Sequence, residues 1–201
     1  MSTKNDLIQP DRDQDAITIH LTDKDGFADW SKSLSSGQRA SLAAQKFEGG
    51  AAQVGIIPDG DNWFAVGGVS DPDDLSSWCL AKLAEALPEG TYRLTSGNPG
   101  AAMHGWIAAQ YSFTRYKDND NAAGPRVLLT KQVKQIDAAL AEAKAEMLVR
   151  DLVNTPAEDM GPAALEAECE KLAKEHSAKL KVTKGDNLEQ DYPCLLYTSP
   201  S

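Results

Sequence analysis

Hydrolytic or metal chemistry at neutral pH needs His, Cys, Asp or Glu side chains gathered at ligand or general-base spacing, and this chain carries them scattered. The three histidines, His20, His104 and His176, are remote from one another in sequence. A lone histidine without a ligand partner reads as packing or surface decoration. Cys79, Cys169 and Cys194 are odd in number, far apart and lack a C-x-x-C spacing. They point to reduced, buried or partly buried thiols, neither a disulfide framework nor a zinc site. Asp71, Asp73 and Asp74 stand where a helix start favours negative charge, and they fit capping without a metal. Asp151 reads as an exposed helix-end carboxylate, and Glu158 and Asp159 as loop residues ahead of a helix. Gly67-Gly68 belongs to no G-x-G-x-x-G and precedes no Gly-Lys-Ser/Thr, so it reads as close backbone packing at a strand end. The residue pattern therefore assigns no catalytic, metal-binding or cofactor-binding residue to the chain.

The elements that would have to position such groups follow from periodicity. Residues 1–14 are polar, contain Pro10 and read as a loose arm. Ala16 to Leu21 alternates apolar and polar residues and predicts a strand with His20 on its polar face. A helical stretch follows from Phe27 to Phe47, broken near Ser35-Ser36-Gly37, with Ser36 as a cap. Two apolar runs, Gln53–Ile57 and Trp63–Val69, flank Pro58-Asp59-Gly60-Asp61-Asn62 and predict a β-hairpin. A helix started by Asp71-Pro72-Asp73-Asp74, a strand over Thr91–Thr95 and a helix from Asn98-Pro99-Gly100 through Phe113 come next. The loop Asp118–Pro125 and the strand Arg126–Thr130 then complete an α/β unit over 15–130. A helix from Lys131 to Val153, with Val133, Ile136, Leu140, Ala143, Met147 and Leu148 inward, reads as a connector. Asn154-Thr155-Pro156 ends it, and Gly161-Pro162 starts another helix with proline at its first turn. Ala178–Thr183 alternates as a strand, so residues 154–193 read as a βα opening of a second α/β domain.

Composition narrows the partners. Of 201 residues, 41% are hydrophobic and 25% charged, ordinary for a globular protein, and the formal net charge is −10. The excess of acid is shared by both halves, so no basic face is offered. Phosphate neutralisation supplies most non-specific nucleic-acid affinity, and anionic membranes attract cations too; neither partner is expected. No apolar run reaches the roughly 20 residues of a membrane span. The polar start Met1-Ser2-Thr3-Lys4-Asn5-Asp6 lacks a signal-peptide core, so a cytoplasmic location is expected.

Two stretches carry a resemblance. Leu148-Val149-Arg150-Asp151-Leu152-Val153-Asn154-Thr155-Pro156, leading to Gly161-Pro162, resembles the approach to the catalytic domain of the leucyl aminopeptidase family, cytosolic dinuclear metalloaminopeptidases. Tyr111-x-Phe113-x-Arg115-Tyr116-Lys117 is similar to a pattern found ahead of a polar loop and strand in bacterial members. The resemblance spans about residues 50–193 and implies an N-terminal macrodomain-like mixed-sheet domain followed by the start of an α/β catalytic domain. It implies that the parent removes N-terminal residues from peptides by a hydroxide held between two divalent ions, manganese or zinc. Paired cations suit this because one polarises the carbonyl while both lower the pKa of the bridging water. The family assembles as a homo-hexamer. Its ligands, a Lys, several Asp and a Glu, lie in a Gly-Lys-Gly-x-x-x-Asp-Thr-Gly-Gly-like and an Asn-Thr-Asp-Ala-Glu-Gly-Arg-like stretch. Neither stretch occurs in these 201 residues. No metal is expected in this chain, and the chain alone is expected to be inactive.

Beyond Tyr192-Pro193 the pattern departs from the family: residues 194–201, Cys194 to Ser201, read as a translated cloning or sequencing adapter without order. A different class of reading is a stand-alone ADP-ribose-binding or assembly module of macrodomain type. Against it stand the lack of an anion-binding glycine loop and the presence of residues 131–193. Limited proteolysis is expected to cut first near Asn154-Thr155 or beyond Gly185, where few tertiary contacts hold the backbone. Early cleavage between Val54 and Val69 would contradict the predicted hairpin.

Overall fold

The computed structural model describes residues 7–116 and 124–198, without the side chains of 196–198. The chain forms two compact units, Met1–Val149 and Arg150–Ser201.

The first unit is built on a six-stranded mixed sheet in the order β1-β6-β5-β2-β4-β3. The strands are β1 Ile8–Pro10, β2 Ile17–Thr22, β3 Val54–Asp59, β4 Asn62–Gly68, β5 Gly90–Leu94 and β6 Arg126–Thr130. All neighbours run parallel except β3 and β4, the expected hairpin. Its two-residue turn places Gly60 at φ 60°, where glycine carries no Cβ penalty. Pro58 is tolerated because β3 is an edge strand with one row of N–H groups unpaired in the ladder.

A parallel sheet must be covered on both faces, and the unit has two cores to match. On one face Ile19, Leu83, Ala84, Tyr92, Met103, Trp106, Ile107 and Leu128 pack together with Ile136, Ala143 and Met147. The helices of this layer are α3 Ala81–Ala86, α4 Ala102–Ala108 and α5 Val133–Asn154. On the other face Leu34, Leu42 and Phe47 cover Ile57 and Val66, carried by α1 Phe27–Ser31, α2 Ser36–Ala44 and the segments beside them. Ser35, not Ser36, caps α2: its hydroxyl accepts from the Gln38 N–H at 3.2 Å while Gln38 Oε1 accepts from the Ser35 N–H at 3.0 Å. That reciprocal pair is a capping box.

Several expectations change. The segment read as a loose arm is sheet over Ile8–Pro10, paired with Leu128–Thr130. Leu7 and Ile8 are buried, and two apolar residues suffice to dock a strand on a parallel edge. Arg93 then fastens the return: Nε and an Nη donate to the Asp11 carboxylate, each at 2.8 Å, and the same Nη donates to the Gln14 carbonyl at 2.7 Å. Residues 1–6 lie outside the described part. Residues 71–74 form a turn in which Asp71 Oδ1 accepts from the N–H groups of Asp73 and Asp74, and the helix waits until Ala81. The helix after Asn98-Pro99-Gly100 runs from Ala102 to Ala108 only. The predicted loop 118–125 falls mostly outside the described residues. Val133 is exposed, and the first unit extends to Val149, so most of the expected connector belongs to it.

The second unit contains α6 Pro162–Glu175, α7 Asn187–Asp191 and α8 Pro193–Thr198. Proline opens α6 as expected, with Gly161 at the N-cap. Ala178–Thr183 is not a strand. Alternation makes a segment competent for a ladder, but no described strand of the second unit lies beside it to accept one. Order was not expected beyond Pro193, yet α8 runs to Thr198 with proline at its first position, a favourable helix start. Residues 199–201 lie outside the described part.

Two measurements test this architecture. A Cβ on Gly68 would lie 2.0 Å from the Gly50 carbonyl oxygen, whereas one on Gly37 in α2 would meet nothing within 4 Å. Gly68→Ala should therefore cost about 2 kcal/mol or more in denaturant unfolding, and Gly37→Ala should stabilise by roughly 0.5–1 kcal/mol. The hydrogen bonds from Arg93 hold the Asp11 carboxyl below its ordinary range, against the opposing effect of burial. A depressed carboxylate adds stability above its unfolded pKa of roughly 3.9, and that stability is lost as pH falls through the lower folded value. Arg93→Gln should thus cost on the order of 1 kcal/mol at pH 7 and progressively less below about pH 4.

Candidate functional site

The chemistry-bearing side chains remain apart in the fold. His20 lies on β2, on the face covered by α1, with its ring 5.7 Å from Trp30 and 5.2 Å from Phe64. Burial among these aromatics lowers its pKa by disfavouring the charged form. It is a half-buried packing residue rather than surface decoration. His176 is the exposed C-cap of α6, its N–H donating to the Leu172 carbonyl. Asp71, Asp73 and Asp74 stand in their own turn, where the Asp71 carboxylate is taken up by backbone N–H groups. Glu158 and Asp159 are exposed, and Asp151 is half-buried in the last turn of α5. None of the three cysteines is in a disulfide; Cys79 is half-buried with Sγ 3.2 Å from Ser76 Oγ. Cys169 and Cys194 are exposed, against the expectation of buried thiols, since each sits on a helix face with no core beneath it.

His104 is the exception that sequence reasoning underrated. It sits in α4 with 9% of its side chain exposed, and Nε2 lies 2.7 Å from Glu146 Oε2. Trp78 stands perpendicular to the ring, with the centroids 5.3 Å apart. Nδ1 is fully buried without a hydrogen-bond partner, and Glu142 Oε2 stands 3.9 Å from it. The carboxylates address opposite nitrogens of the ring, which suits an ion pair and not convergence on one cation. A faint sequence signal exists: Glu142 and Glu146 are one helical turn apart and share a face.

The Gly67-Gly68 pair is packed as expected. Beside Gly68 runs the Gly50 backbone, and a Cβ on Gly67 would lie 2.5 Å from Leu83 Cδ1. No room is left there for a phosphate. A recess of about 440 Å³ opens beside α1 and α2 over Phe27, Leu42 and Phe47, rimmed by Arg39, Lys46 and Glu48. It contains no nucleophile paired with a base.

The Arg150–Pro162 stretch acts mechanically. Thr155 closes α5 twice, its N–H donating to the Asp151 carbonyl at 3.1 Å and its hydroxyl to the same oxygen at 2.7 Å. Pro156 blocks continuation, and the Asp159 and Met160 N–H groups both donate to its carbonyl at 2.9 Å. Among the described residues no group of three or more His, Cys, Asp or Glu side chains is arranged to hold a metal ion. The dinuclear centre implied by the resemblance does not fit these residues, and no catalytic step is derived through them.

A mixed sheet with an antiparallel hairpin at one edge and helices on both faces defines an N-terminal α/β domain of the leucine aminopeptidase type. Residues 17–128 match the model of the M17 aminopeptidase N-terminal domain, and the chain belongs to that family. A probable cytosol aminopeptidase of Leifsonia xyli subsp. xyli (strain CTCB07) is 29% identical over 192 residues, covering 85% of this chain and 38% of that protein. The crystal structure of cytosol aminopeptidase from Coxiella burnetii superposes with a TM-score of 0.74 at 27% identity, covering 94% of this chain and 42% of that one. The bottromycin maturation enzyme BotP in complex with Mn shares the fold, with a TM-score of 0.64 at 20% identity over 87% of this chain and 39% of that one. The chain thus spans about two fifths of the length of the relatives it matches.

Proposed function

We propose that this chain is the N-terminal part of a cytoplasmic aminopeptidase that removes N-terminal residues from peptides. Hydrolysis is carried out by a hydroxide bound between two divalent cations, manganese or zinc, whose ligands lie outside these 201 residues. The family match over residues 17–128 carries this reading. The cytosol aminopeptidases of Leifsonia and Coxiella support the activity and the compartment, and the manganese of the BotP complex supports the class of cation. The parent acts as a homo-oligomer, a hexamer, on peptides, not on nucleic acid or membranes; the net charge of −10 supports the last two.

Alone, the chain is inactive, because without converging ligands there are no cations to activate water and no route to the amide at neutral pH. The test compares three proteins on a leucine anilide with added manganese or zinc: the 201-residue chain, the Leifsonia relative, and a chimera whose matching region is replaced by residues 17–193. The chain should give no turnover, while the chimera should turn over within roughly tenfold of the relative. Metal-dependent turnover by the chain that survives removal of contaminating peptidases would overturn the inactivity. A chimera that folds and binds metal yet shows no peptidase activity would overturn the family role.

A further inference from the structure

His104 is the one described histidine whose ring is both nearly covered and flanked by two carboxylates, and its protonation state has structural consequences. Glu146 Oε2, 2.7 Å from Nε2, is an acceptor, so in the neutral ring the proton resides on Nε2 and Nδ1 is a bare lone pair. That lone pair is buried, lacks a hydrogen-bond partner, and faces the Glu142 carboxylate across 3.9 Å. An acceptor facing an acceptor contributes nothing attractive. A second proton changes the pairing completely: both ring nitrogens become donors, and a shortening of about 1 Å would bring Glu142 into hydrogen-bond range. Glu142 is 70% exposed, so its side chain has room to make that adjustment.

We propose that His104 is a proton-operated latch that fastens α5 to α4: one link, to Glu146, exists with the neutral ring, and a second, to Glu142, closes when the ring is protonated. The other groups around the ring do not compete for its Nδ1. Trp78 is uncharged and stands perpendicular to the imidazole, the neighbouring Cys79 thiol is engaged with Ser76, and α4 itself carries no other charge. On α3, Lys82 and Glu85 pair with each other at 2.8 Å. On α5, Asp137 and Lys144 lie off the face shared by Glu142 and Glu146, and Arg150 follows Glu146 by one turn. The latch ties the helix that contributes Ile136, Ala143 and Met147 to the core more tightly in acid.

Glu142→Gln is the discriminating variant, since the position is exposed and a helix accepts glutamine equally well. The glutamine amide can donate to the bare Nδ1 of the neutral ring and carries no charge to attract the protonated one. With histidine labelled by ¹³C and ¹⁵N in the full 201-residue chain, NMR should show the Nε2-protonated tautomer wherever the ring is neutral. The variant should lower the His104 titration midpoint by a few tenths of a pH unit, roughly twofold in proton affinity for so exposed a partner. Hydrogen exchange over Ile136–Met147, corrected for intrinsic rates, should slow on acidification in the wild type relative to the variant. An unchanged midpoint in Glu142→Gln, or an Nδ1-protonated neutral tautomer, would overturn the latch; so would equal acid response of the two proteins in exchange. Introducing His104→Asn into both the wild type and Glu142→Gln should abolish the difference between them, provided that the chain folds, and Glu142→Gln alone decides the matter where it does not.

Discussion

Everything in the first unit depends on the double coverage that its parallel strands demand. β2 is the middle of that arrangement: β4 and β5 flank it in parallel, and its two faces look into different cores. Ile17, Ile19 and Leu21 belong to the core completed by α3, α4 and α5, while His20 points the other way, beneath α1. A strand that alternates apolar and polar residues ordinarily has one wet face. Here Trp30 of α1 covers the polar face and Phe64 of β4 flanks it, and the imidazole serves as a third ring among aromatics. Further along the sheet, Gly68 lets the Gly50 backbone lie directly against the end of β4.

This constraint also explains which elements could be read from sequence. The hairpin was legible because its signal is local, although the strands run on into the expected loop: Pro58 and Asp59 belong to β3 and Asn62 to β4, which leaves Gly60-Asp61 as the turn. The extent of α5 was legible because its 22 residues are rich in strong helix formers and outvote any single exception. β1 was not, because three residues ending at Pro10 have no periodicity; they are sheet only since β6 offers an edge and Leu7 and Ile8 need cover. The failure at Ala178–Thr183 is the converse, a good local pattern without a neighbour. For β1 the deciding partner is far away in sequence, and propensity cannot see it.

The residues that could do chemistry are a different matter. What Arg150–Pro162 supplies is not a set of reactive groups but punctuation: a threonine that closes one helix, a proline that forbids its continuation, a proline that opens the next. Such residues fix the backbone geometry of a junction. His104 was passed over for the opposite reason. Its partners, Glu142 and Glu146, are some forty positions away, and only the packing of α4 against α5 brings them to the ring.

Hydrophobic burial holds these layers together without choosing their relative rotation, because it is proportional to area and has no direction. The choice falls to a small number of buried polar links between segments distant in sequence. Trp106 Nε1 donates to the Arg126 carbonyl at 2.9 Å, and Gln110 brackets the same residue, accepting from its N–H and donating to its carbonyl. Arg126 Nε reaches the Ala84 carbonyl, so one residue on β6 registers both α3 and α4. Tyr92 donates to the Pro88 carbonyl at 2.6 Å, and its burial pushes the phenol up to about 12, keeping it a donor over any physiological range. A group that loses its partner in such a place costs about 1–3 kcal/mol, more than a typical link contributes when made. That asymmetry makes the polar seams selective: a helix slipped by one turn would keep most of its apolar contacts and strand several of these groups. The bare Nδ1 of His104 is the one such side-chain atom the described residues leave without a hydrogen bond. It sits where α4 meets α5, so the least satisfied polar seam of the unit is the one a single proton can complete.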